Sequence, residues 1–163
     1  MSVRYLEKFL TIEDKTLQPT LNPDDNKLKR DVVLLNRLAA LRHRYQRGDV
    51  VTLWSPTDPS KTIIKRIVAV EGDYVYPLKP HPKEIVRIPK GHCWIEGDEN
   101  FHSKDSNIYG PVPLGLITAK VTHIVWPLSR LGRVPYRGRP ERVLYGAGPS
   151  DEEEDDTYKP NYA

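Results

Sequence analysis

Fifteen prolines are spread through the 163 residues of this chain, and they constrain its fold more than any other feature. Each proline removes a backbone donor and fixes φ at roughly −65°, which breaks helix interiors. A helical bundle is therefore excluded, and short strands joined by turns are the expectation. At this length one ordinary hydrophobic core can be buried and two full domains cannot. The chain is expected to be mainly β, one domain with tails.

The runs between the turn residues support this. Residues 50–54 (VVTLW), 62–70 (TIIKRIVAV), 85–89 (IVRIP), 92–97 (HCWIEG) and 116–126 (LITAKVTHIVW) are rich in β-branched and aromatic residues. Gly, Pro, Asp or Asn separates them, as expected of strands. A further short apolar run lies at 31–36. Leu38, Leu41 and Tyr45 have helical spacing, which predicts a helix over 37–46 that ends at Gly48. Residues 1–15 read as a divergent segment, a short amphipathic helical turn or irregular, and 17–26 as a loop. The polar stretch 97–115 is a loop long enough to carry function. The expected organisation is an N-terminal segment 1–15, a β-rich domain 16–134, and a flexible tail 135–163 that is basic and then acidic.

The net charge of +3 combines six consecutive acids at 151–156 with about +9 on the remainder. Arg130, Arg133, Arg137, Arg139 and Arg142 crowd the segment before the acids and read as a solvated basic surface. An RNA- or lipid-binding module built on them is the weakest reading, and no nucleic acid partner is expected. Cys93 is the single cysteine, so neither an internal disulfide nor a cysteine-based zinc site is available, and it reads as a small buried apolar residue. His43 and His123 lack metal-ligand spacing; no metal or other cofactor is expected. No run of about 18 apolar residues is present to form a spanning helix. The first residues are neither a secretory signal nor a transit peptide, so the chain as it stands reads as soluble.

Lys65 lies inside an apolar strand. Burial disfavours a charged amine and makes it able to accept a proton, and a hydroxyl beside it then becomes a nucleophile. Taken alone, the strand is better explained by Lys65 and Arg66 placing one charge on each face, with one of them reaching water.

Four segments in order decide between these readings: LQPTLNP (17–23), RGDVV (47–51), IIKRIVAVEGD (63–73) and GHCWIEGDENFHSKDSNIYGPVPLGLI (91–117). Together they resemble the conserved boxes of signal-peptidase-like serine/lysine peptidases. THIVWP (122–127), HCWIEGD and TLNP are most similar to the mitochondrial members. The resemblance implies a β-rich catalytic domain and an endopeptidase that processes sorting presequences of intermembrane-space proteins. It also implies the intermembrane-space side of the mitochondrial inner membrane and a homologous protease subunit as partner; because the sequence shows no spanning run, membrane association is expected to be peripheral.

The resemblance assigns Lys65 as general base, Ser103 as the hydroxyl that orients it and Asp105 as a supporting residue in the same loop. Ser106 is structural, and His92 and His102 are surface or loop residues, because the family dyad uses no histidine. Two positions depart from the pattern. Thr16 stands where the family has its nucleophilic serine; it keeps the hydroxyl, but its γ-methyl restricts χ1. Asp14 stands two residues earlier, where a carboxylate would repel the developing oxyanion. Relatives also carry an N-terminal span shortly before the nucleophile. These departures define the alternative reading: an impaired or inactive homologue that binds peptides or stabilises a partner.

Overall fold

A computed structural model describes residues 7–13, 15–23, 29–99 and 104–146. It is mainly β, as the prolines require. Strands β1 (Glu7–Thr11), β2 (Val32–Asn36), β3 (Val50–Trp54), β4 (Thr62–Val70), β5 (Tyr74–Val75), β6 (Val86–Arg87), β7 (His92–Glu96), β8 (Val112–Pro113), β9 (Ile117–Trp126), β10 (Gly132–Arg133) and β11 (Val143–Leu144) account for most regular structure, with two short helices, α1 (Arg37–Leu41) and α2 (Ser106–Tyr109). The larger sheet runs β1-β2-β9-β3-β4-β7-β8, with β10 added on β9; the smaller runs β11-β5-β6. Every pairing is antiparallel.

The central strands β3 and β4 are buried on both faces, which explains their near-continuous apolar sequence. Ile64 and Val50 pack on one side with Ile12, Leu17, Leu21 and Val121. Val51, Leu53 and Ile67 pack on the other with Ile95, Tyr109 and Val112. The pairing of β4 with β7 slips between Ile67 and Ala69. Such a bulge bends a strand, and beyond it Val68 and Ala69 join Trp94 and the small sheet in a third cluster.

Three local expectations are corrected. Glu7–Thr11, expected to be helical or irregular, is a strand paired residue for residue with β2. Helix α1 covers five residues rather than ten: Arg42 caps it at φ −93°, ψ 0°, and His43 at φ 48° turns the chain out of helical geometry. The chain past residue 135 also remains on the body as far as it is described. Val143 is buried in the third cluster and β11 pairs with β5, a contact too short to leave a periodicity in the sequence. Residues 147–163 lie outside the described residues.

The basic surface expected over 130–142 is also corrected in part. Arg142 forms a fork on Glu96, which is itself buried, at 2.6 and 2.9 Å, and Arg139 reaches the same carboxylate at 3.4 Å. Arg130 bonds the buried Asp31 and donates to the Thr20 carbonyl at 2.7 Å. A buried carboxylate requires a charged partner, and these arginines supply it; Arg133 and Arg137 are exposed.

Candidate active site

Lys65 is buried, 2% exposed, directly opposite Val51 on β3. It shares a strand face with Ile63 and Ile67, because side chains alternate along a strand. Its strand has an unusual edge. The antiparallel partner β3 covers one side of Thr62–Arg66, while β7 begins to cover the other side only at Arg66. Ile67 exchanges backbone hydrogen bonds with the β3 side, through Asp49 and Gly48. By the two-residue alternation of an antiparallel ladder, Ile64 and Thr62 direct their N–H and C=O groups away from β3. Among the described residues no strand pairs with them there.

Thr16 stands at that edge. It lies in the turn between β1 and β2, and its Oγ1 donates to the Ile64 carbonyl at 3.4 Å, one residue from Lys65. The turn is fixed from several directions. Leu17 and Leu21 are fully buried beneath it, and the Leu21 N–H bonds the Leu17 carbonyl at 2.9 Å. Asn22 exchanges two bonds with Asp31: its N–H donates to Asp31 Oδ2, and its Oδ1 accepts from the Asp31 N–H. Asn22 Nδ2 also donates to the Ile12 carbonyl at 2.7 Å. The Thr16 carbonyl accepts from the Glu99 N–H at 3.2 Å, tying this turn to the start of the polar loop.

Asp105 stands at the far end of that loop. Its carboxylate caps α2 through the Asn107 N–H at 3.0 Å and reaches back to the Gly97 N–H at 3.3 Å. Ser106 Oγ accepts from the Ile95 N–H at 2.9 Å and is fully buried, the structural role expected of it. The loop is thus closed at its base on β7. Burial pushes the Asp105 carboxyl up from its ordinary value. The neighbouring Glu96 charge adds to this, while the Asn107 and Gly97 N–H groups and the charge of Lys65 act against it. Thr16 thus meets β4 one residue from Lys65, and Asp105 lies close enough to Lys65 to feel its charge. Asp14 and Ser103 lie outside the described residues.

One pair beside the site was not singled out from the sequence. Arg66 and Asp98 are almost fully buried and form a two-pronged ion pair at 2.8 and 2.9 Å. It joins the residue after Lys65 to the residue after Gly97. The signal was present as a second charge in an apolar strand, but a linear sequence does not say which acid meets it. Among the described residues no group of three His, Cys, Asp or Glu side chains is placed to hold a metal ion. No helix among them is long and apolar enough to cross a membrane.

An antiparallel β domain with a buried lysine beside a strand edge that no described strand pairs, and a threonine hydroxyl on that edge, has the features of a serine/lysine-type peptidase. The sequence comparisons agree. Residues 4–79 match the family described as signal peptidase, peptidase S26. Mitochondrial inner membrane protease subunit 2 of Schizosaccharomyces pombe is 45% identical over 138 residues, covering 85% of this chain and 75% of the relative. The protein of the same name from Mus musculus is 47% identical over 151 residues, covering 91% and 85%. Mitochondrial inner membrane protease subunit 1 of Homo sapiens is 37% identical over 130 residues, covering 78% and 75%. The chain belongs to the signal peptidase family, among the mitochondrial inner membrane protease subunits.

Proposed function

We propose that the chain is the presequence-processing subunit of a mitochondrial inner membrane protease, acting on the intermembrane-space side with Thr16 as nucleophile and Lys65 as general base. The observation that carries this is the contact of Thr16 Oγ1 with the Ile64 carbonyl on the strand that bears the buried Lys65. An extended peptide adds to the free edge at Thr62 and Ile64 by backbone hydrogen bonding, which places its scissile carbonyl beside Thr16. The hydroxyl attacks that carbonyl and its proton passes to the Lys65 amine. The lysine then gives the proton to the leaving amine, and water releases the acyl-enzyme. Asp105 holds the loop that faces Lys65, and the resemblance gives Ser103 the task of orienting the amine. The substrate is a protein presequence, the partner is a homologous subunit, and membrane association is peripheral.

The test is cleavage of a presequence-like peptide, presented with lipid, by the natural protein and by Thr16→Ser, Thr16→Ala and Lys65→Ala variants. Cleavage by the natural protein and by Thr16→Ser, abolished in both alanine variants, is expected. Cleavage by Thr16→Ser alone would show an intact site whose threonine is not competent, and the enzyme reading of this chain would fail.

A further inference from the structure

Two buried carboxylates stand at the base of the polar loop, one on each side of it: Glu96 ends β7 and Asp105 caps α2. Asn107 bridges them. Its backbone N–H donates to Asp105 Oδ1 at 3.0 Å and its Nδ2 to Glu96 Oε1 at 3.0 Å. Its own Oδ1 accepts from the Leu78 N–H at 2.8 Å, which fixes the side chain from the far side. Two like charges in one buried network favour protonation of one of them. Burial and the charge of Glu96 do push the Asp105 carboxyl up, with the Asn107 and Gly97 N–H groups and Lys65 opposing them.

The charge that offsets Glu96 comes from outside the loop. Arg142 places its fork on that carboxylate, and Arg139 reaches both the carboxylate and, at 3.2 Å, the Gly97 carbonyl at the loop's first turn. Arg142 is itself held in place. Its N–H bonds the Arg139 carbonyl at 3.1 Å, its carbonyl accepts from the Tyr76 N–H at 2.9 Å, and its Nε donates to the Tyr76 carbonyl at 3.1 Å. The next residue, Val143, is buried in the third cluster. A guanidinium fixed in this way gives the loop base the rigid support that a precise site requires. We propose that Arg142 is a positioning residue of the peptidase site, acting through Glu96 and Asn107 to hold Asp105 and the base of its loop; this rests on the assignment of Lys65 as general base.

The experiment measures kcat and KM on a presequence-like peptide presented with lipid, and native-state hydrogen exchange, in Arg142→Gln, Arg142→Lys and an Arg142→Gln/Glu96→Gln double variant. Each is made with Thr16 as found and with Thr16→Ser. In Arg142→Gln, kcat should fall about tenfold or more, with KM changed by less than about twofold, because the strand edge that takes the peptide is untouched. The double variant should recover most of that loss, since it leaves no unpaired charge. Arg142→Lys keeps the charge without the fork and should lie between. The N–H groups of Gly97 and Asn107, which bond Asp105, should exchange about tenfold faster in Arg142→Gln and slow again in the double variant, while those of Ile12 and Leu21 stay unchanged. Equal damage in the single and double variants would mean packing alone and would overturn the proposal. An unchanged kcat, a loss confined to KM, or unchanged exchange at Gly97 and Asn107 would overturn it equally. If neither the Thr16 nor the Thr16→Ser protein cleaves the peptide, the peptidase reading is what fails, and the exchange rates alone decide whether Arg142 holds the loop.

Discussion

Replacing Asp98 by asparagine should cost far more than its change in shape suggests. Arg66 has five N–H donors, and all five are used: two on Asp98, one each on the Gly48 and Pro135 carbonyls, and one on Thr20 Oγ1 at 3.5 Å. Both charges are out of water, the arginine 1% and the aspartate 2% exposed. The amide keeps the size of the carboxylate but removes its charge and turns one acceptor into a donor facing a donor. Breaking a buried pair from one side costs about 3–5 kcal/mol. The three neutral acceptors that remain around Arg66 place this case at about 3 kcal/mol. For a chain of this size the unfolding midpoint should fall by about 6–12 °C.

The assay is urea and thermal unfolding followed by tryptophan fluorescence, with a double-mutant cycle to isolate the pair. Arg66→Met alone should be at least as damaging, because it leaves the Asp98 carboxylate buried without a cation. Combining Arg66→Met with Asp98→Leu should cost less than the sum of the single changes by about 2–3 kcal/mol, since no unpaired charge then remains. A cost below about 1 kcal/mol for Asp98→Asn, or additive costs in the cycle, would refute the claim that this pair fastens β4 to the polar loop.

Three further outcomes follow from other sites. Burial alone would raise the Glu96 carboxyl, but the Arg142 fork overcomes it, with Trp94 Nε1 and Arg139 assisting, and the group lies below its ordinary value of 4.5. Its stabilisation is therefore present above about pH 4.5 and lost as pH falls through the folded-state value, so the gap in urea midpoint between the natural protein and Glu96→Gln should be constant near neutrality and close in acid. Cys93 should resist thiol reagents in the native protein and react only at the rate of unfolding, because it is fully buried and its thiol is pushed up to about 12; fast native labelling would contradict that burial. Gly48→Ala should destabilise by about 2 kcal/mol or more, measured by unfolding: Gly48 sits at φ +88°, and an added Cβ would lie 2.1 Å from the Tyr136 ring. Removing that ring with Tyr136→Ala should recover only the steric part of the loss, leaving the backbone strain.

The division between what sequence made legible and what it hid follows the range of the interactions involved. Strands β3, β4, β7 and β9 were legible because their apolar, β-branched composition is a local record of burial. Lys65 was legible for the same reason, as a charge breaking an apolar run, and Thr16 through an ordered set of motifs. Strand β1 was not, since Glu7–Thr11 becomes a strand only by pairing with β2, and nothing in five residues records the partner. The arginines misled for a related reason. Arg130 and Arg142 read as surface charge because the acids that hold them, Asp31 and Glu96, are 99 and 46 positions away. Basic residues near a chain end look alike whether they face water or a buried carboxylate, and only the fold separates them.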